Sequence, residues 1–154
     1  MKKDIIDKKF QFFLQEVEKH FYILDKDLND IKPFYPLSER EIKKFVNDEN
    51  YLKILDQIAY RYIKLQDTLG KIIRTFLLKE GELIEHLTMI DVIHKAEKIG
   101  IFIDEEFWFE MRNLRNSITH EYPYMYGEVA EAINTLFSYM GKIKEIIDSI
   151  KERA

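Results

Sequence analysis

The sequence predicts an all-α protein: an up-and-down helical bundle of four main helices with one or two short ones, formed by 1–154 as a single domain. Three observations carry this. Glycine and proline are scarce, at 5 and 3 of 154 residues, so long uninterrupted helices are allowed. Several stretches place apolar residues at alternating steps of three and four, the spacing of one helix face. No stretch shows the every-second-residue alternation of a half-buried strand. A chain of this length can bury one sizeable core.

The first long helix is expected over 1–30, where Ile6, Phe10, Phe13, Val17, Phe21, Leu24 and Leu28 form a single seam. His20 flanks it and reads as an ordinary packed or partly exposed histidine. Pro33 and Pro36, around Phe34 and Tyr35, break the helix into a loop over 31–37. Ser38-Glu39-Arg40-Glu41 has the form of a capping box and starts a short helix. Residues 47–50 then interrupt or re-cap the chain.

From Tyr51 to Lys79 the pattern is the most regular in the sequence, with Tyr51, Leu55, Ile58, Tyr62, Leu65, Leu69, Ile72 and Phe76 in one stripe. Ile54, Ala59, Ile63, Ile73 and Leu77 widen it enough for two neighbours, as in a central bundle helix or one that also serves a dimer. Gly70 within it lowers helix stability and permits close helix packing. Gly81 caps the end. Thr88 with Asp91 resembles an N-terminal cap for a short helix ending at Gly100. His86 and His94 stand eight apart without a ligand pattern such as HExxH, and read as surface or helix-packing residues.

Asp104 then caps a helix whose first turn carries Glu105 and Glu106 at the positive end of its dipole. Phe107, Met111, Leu114 and Ile118 form its buried stripe. The last helix is expected from about Glu128, with Val129, Ile133, Leu136, Met140, Ile143, Ile147 and Ile150 as its seam.

The chemically capable residues collect in 104–122, DEEFWFEMRNLRNSITHEY, just before Pro123. On a regular helix Arg115 and Tyr122 share a side with Trp108, Arg112 and Thr119, while His120 points away from Arg115. Pro123 disfavours helical backbone at Tyr122, so the last turn should loosen over 119–121 and let His120 swing toward the arginine side. The bland alternative is that Arg115 pairs with a glutamate, His120 caps the helix end and Tyr122 packs.

The segment Arg115-Asn116-Ser117-Ile118-Thr119-His120-Glu121-Tyr122 resembles the RN-x3-H-x-Y signature of HEPN domains. It is most similar to that of the HepT-like toxins encoded beside a minimal nucleotidyltransferase (MNT) antitoxin. The resemblance covers most of the chain in helix order, but only 115–122 residue by residue. It implies a helical bundle that dimerises, with Arg115 and His120 catalytic at a homodimer cleft, Asn116 orienting the site and Arg112 supporting it. The implied activity is a metal-independent endoribonuclease toxin acting on tRNA or mRNA, in a type VII-like toxin-antitoxin pair. Tyr122 stands at the position adenylylated by the cognate MNT antitoxin, a modification that silences such toxins; Tyr124 and Tyr126 are neighbouring competitors. The alternative is a non-catalytic nucleotide- or substrate-binding subunit partnering a nucleotidyltransferase.

The chemistry of the residue types is compatible with cleavage. A histidine titrates near neutral pH and can take the 2'-hydroxyl proton, and an arginine offers a planar fork of donors to phosphate oxygens. Neither requires a metal or cofactor, and none is expected; with no cysteine, a thiolate metal site is excluded. No signal peptide or membrane-spanning run is recognised, so a cytoplasmic protein without membrane contact is expected. The net charge of -4 argues against broad affinity for nucleic acid, and any RNA contact must rely on a local basic patch.

Overall fold

A computed structural model describes residues 2–119 and 125–153. Within them the protein is an all-α bundle without strands. Its four main helices are α1 (Lys2–Ile31), α3 (Glu49–Lys79), α5 (Glu105–Ile118) and α6 (Tyr126–Lys151); α2 (Glu39–Val46) and α4 (Met89–Lys98) are short. A 3-10 turn, Lys32–Phe34, follows α1. Among the described residues no helix is long and apolar enough to cross a membrane.

α3 is the central helix and touches each of the other five, its longest packing being along α1. Its whole predicted seam except Tyr51 is buried, and Ile73 and Leu77 bury beside it, so the widened stripe serves several neighbours within one chain. It begins two residues earlier than the periodicity suggests because Asp48 accepts bonds from the Asn50 and Tyr51 amides, satisfying donors that a helix start leaves bare. The Ser38–Glu41 capping box forms as expected. Gly81 and Gly100 follow α3 and α4 with φ of 85° and 101°, a left-handed conformation that only glycine adopts without strain.

Two polar contacts fix helix positions. Asn134 on α6 clamps the chain before α2: its Nδ2 donates to the Leu37 carbonyl and its Oδ1 accepts from the Leu37 amide, both at 2.8 Å. Tyr62, fully buried on α3, donates its hydroxyl to the Met111 carbonyl of α5 at 2.6 Å. In a regular helix that carbonyl also receives the Arg115 amide, so Tyr62 anchors α5 one turn before Arg115.

The α1–α3 interface contains a buried polar cluster. Arg61 Nη1 donates to His20 Nδ1 at 3.0 Å, which requires that nitrogen to be unprotonated, and Gln57 Nε2 donates to both Asp27 oxygens at 2.9 and 2.7 Å. Burial, reinforced by the Arg61 charge, lowers the His20 pKa below its ordinary 6.5; burial raises that of Asp27 against the opposing Gln57 bond. Because folded His20 binds a proton less readily than the unfolded chain, its contribution to stability is complete above pH 6.5 and declines as pH falls below it. Asp27 acts oppositely: its ionisation opposes folding as pH rises above 3.8. The His20 contribution should therefore decline from pH 7.5 to 5.5 while that of Asp27 opposes it, and His20→Gln should lose less stability over that range than the parent does; a His20→Gln profile parallel to the parent would refute it.

Candidate functional site

α5 is held by its cap and by two neighbours. Asp104 Oδ1 accepts the Phe107 amide at 2.7 Å, and Glu105 reaches His94 of α4 at 2.8 Å. Phe107 meets Tyr139 of α6 edge-on at 5.1 Å. Phe107, Met111, Leu114 and Ile118 are all buried, as their spacing predicts. The helix stops at Ile118 with Thr119 as its cap, where the sequence places the start of loosening. Thr119 Oγ1 donates to the carbonyls of Arg115 and Asn116, each at 3.2 Å, satisfying acceptors of the final turn.

The opposite face of α5 forms one wall of a cleft of 570 Å³ against α3 and the start of α4. Trp108, Arg112, Arg115 and Asn116 come from α5; Gln66, Asp67, Gly70, Lys71 and Arg74 come from α3, and Met89 from α4. The structure thus places Arg112, Arg115 and Asn116 together on one wall of this cleft. His120 and Tyr122, the other two members of the predicted site, lie outside the described residues, as do Pro123 and Tyr124.

The cleft is cationic although the chain is acidic. Lys71, Arg74, Arg112 and Arg115 line it against one carboxylate, Asp67, which pairs with Arg115. The plain alternative of an acid pairing with Arg115 is therefore realised, but by an aspartate from α3 rather than by a glutamate. Both partners are substantially exposed, so the pair contributes no more than about 1 kcal/mol to stability. Its stronger effect is positional. It occupies one terminal nitrogen of a five-donor guanidinium and steadies the side chain across the α3–α5 gap.

Beneath the cations lies a buried polar floor. Gln66 and Trp108 are only 4% and 6% exposed, and Gln66 Oε1 and Trp108 Nε1 find no hydrogen-bond partner among the described residues. Leaving such atoms unpaired costs about 1–3 kcal/mol each. Gly70 brings α3 close to this floor: a Cβ there would sit 3.4 Å from Trp108 Cη2 and 3.6 Å from Met89 Cε, ordinary contact. Gly70→Ala should therefore fit and gain about 0.5–1 kcal/mol from helix propensity, whereas Gly70→Leu should crowd Trp108 and narrow the cleft. Urea midpoints compare the two; a destabilised Gly70→Ala would contradict the packing described.

The arrangement offers positive charge, a planar guanidinium beside a carboxamide, and a floor that holds an indole ring and two unpaired polar atoms, which together suit a phosphate-bearing ligand. The α3 contribution escapes a sequence reading focused on apolar periodicity. Asp67, Lys71 and Arg74 recur at steps of four and three on the polar side of α3, and that regularity is the signal that could have found them. Comparison with family models, with curated proteins and with solved structures finds no match to this chain.

Proposed function

We propose that the protein is a metal-independent endoribonuclease acting on tRNA or mRNA, of the kind its RN-x3-H-x-Y segment resembles. The observation that carries this reading is the cleft in which Arg112, Arg115 and Asn116 meet Lys71 and Arg74, a local basic patch on an acidic chain. In this reading His120 takes the proton of a ribose 2'-hydroxyl, and the resulting oxygen attacks the adjacent phosphorus. The bond to the 5'-oxygen breaks, that oxygen takes up a proton, and the products are a 2',3'-cyclic phosphate and a 5'-hydroxyl end. Arg115 stabilises the charge developing on the phosphate oxygens. Two proton-transfer roles are needed, and a second copy of the chain in a homodimer would supply the second histidine.

Tyr122 is the residue we propose as the target of the cognate nucleotidyltransferase antitoxin. Attachment of an adenylyl group there would add bulk and a phosphate charge close in sequence to Arg115 and would silence the toxin, which acts in the cytoplasm.

The test is cleavage of total tRNA in EDTA by the purified chain, beside folded Arg115→Ala and His120→Ala variants. Cleavage by the parent alone supports the reading. Equal cleavage by the variants excludes this site, and absence of cleavage from a parent whose intact mass shows no added nucleotide favours a nucleotide-binding companion of a nucleotidyltransferase.

A further inference from the structure

The polar face of α3 that walls the cleft extends beyond it. With about 100° of turn per residue, Tyr60, Lys64, Asp67, Lys71 and Arg74 fall within about 80° of one another on α3, so the cationic wall continues along the helix beyond the cleft. At 1.5 Å per residue this stripe runs about 21 Å, the length of about six stacked nucleotides at 3.4 Å each. Its one acid, Asp67, is engaged with Arg115. Asp56, one turn before Tyr60 on the same face, marks where the cationic run ends.

Tyr60 stands at the far end of this stripe. It is 52% exposed, yet its ring is flanked by Arg61, whose guanidinium carbon lies 5.4 Å from the ring centre, and by Lys64, whose Nζ lies 5.6 Å from it. Arg61 is in turn fixed by His20. The ring is thus steadied from its own helix while much of it faces solvent, with both cations following it in sequence. An exposed, oriented aromatic at the end of a cationic track is the arrangement by which proteins hold single-stranded nucleic acid: phosphates follow the charges and a base stacks on the ring.

We infer that the outer stripe of α3 is a track for single-stranded RNA, leading from the cleft past Lys71 and Lys64 to Tyr60, which stacks a base several nucleotides from the one held in the cleft. The inference rests on the ribonuclease reading and names its substrate class: an unpaired strand or loop rather than a duplex, since stacking on Tyr60 needs an unstacked base.

The test uses fluorescein-labelled 2'-O-methyl oligouridines of 3 and 12 nucleotides, which lack the attacking hydroxyl and remain intact. Their binding is followed by anisotropy with the parent, Tyr60→Ala, Tyr60→Phe and Lys64→Ala. The 12-mer should bind the parent more tightly than the 3-mer. Tyr60→Ala should weaken the 12-mer about tenfold and leave the 3-mer unchanged, Tyr60→Phe should restore the affinity, and Lys64→Ala should lower it severalfold with a shallower salt dependence. A self-complementary RNA duplex should be insensitive to Tyr60→Ala. If the parent binds the 12-mer but Tyr60→Ala binds it equally well, the track is overturned and the ribonuclease reading stands. If the parent binds neither oligomer nor tRNA, both are overturned.

Discussion

Under the proposed ribonuclease reading, Arg115→Ala is expected to reduce RNA cleavage by about 10²- to 10³-fold, the loss typical of removing one donor from a site that stabilises developing negative charge. The rate should fall more than the affinity, because Lys71, Arg74 and Arg112 remain to hold phosphate in the ground state. Arg115→Lys should recover little, since a point charge cannot reproduce the fork that spans two oxygens. Asp67→Asn separates the catalytic from the positional part: it leaves the guanidinium in place but removes its ionic partner. Its expected cost is within about tenfold in rate and under about 1 kcal/mol in stability. Single-turnover kinetics on a short RNA would distinguish these cases. An Arg115→Ala enzyme within a few-fold of the parent would remove Arg115 from the mechanism.

The largest loss of stability is expected from Phe76→Ala. Phe76 is fully buried near the end of α3, and its ring lies 6.1 Å from that of Phe10 on α1, across the longest helix pairing of the bundle. Removing a buried aromatic ring costs about 3–5 kcal/mol, part of it from the cavity left behind. For a domain of this size each kcal/mol lowers the melting temperature by about 2–4 °C, so a fall of about 6–20 °C is expected. A loss below about 1 kcal/mol by urea denaturation would mean that α1 and α3 do not pair along this seam.

Most of the helical framework was legible from spacing alone, because burial of one face is what the periodicity encodes. The stripes of α3, α5 and α6 sit where their apolar residues predict, whereas that of α1 is turned slightly: Phe10, Val17, Leu24 and Leu28 are buried, Ile6, Phe13 and Phe21 only partly, and Leu14 and Ile31 bury in addition. Helix ends were less legible. α6 begins at Tyr126, two residues before the expected Glu128, and takes Gly127 into its first turn, where the amides have no intrahelical partner to lose.

The candidate site divides in the same way. Arg112, Arg115 and Asn116 share a face of one helix, and local geometry suffices to group them. Gln66, Asp67, Lys71 and Arg74 look in isolation like parts of an ordinary solvated helix face. They become a cleft wall only when α5 packs across Gly70, a tertiary event that no local pattern encodes. Gly70 itself was readable as a point of close approach, and Trp108 is what approaches it. The parts of the proposal that depend on His120 and Tyr122 rest on the motif.

Trp108 is the only tryptophan in the chain, and it lies under the cations with its indole enclosed. Its emission therefore reports from a single known position. Excited at 295 nm, the native protein should emit at the blue end of the indole range. A nucleotide entering above the ring should quench that signal without any attached dye, whereas an RNA confined to the far end of α3 should leave it unchanged. The same side chain that forms the floor of the cleft thus provides an intrinsic optical gauge of whether the cleft is filled.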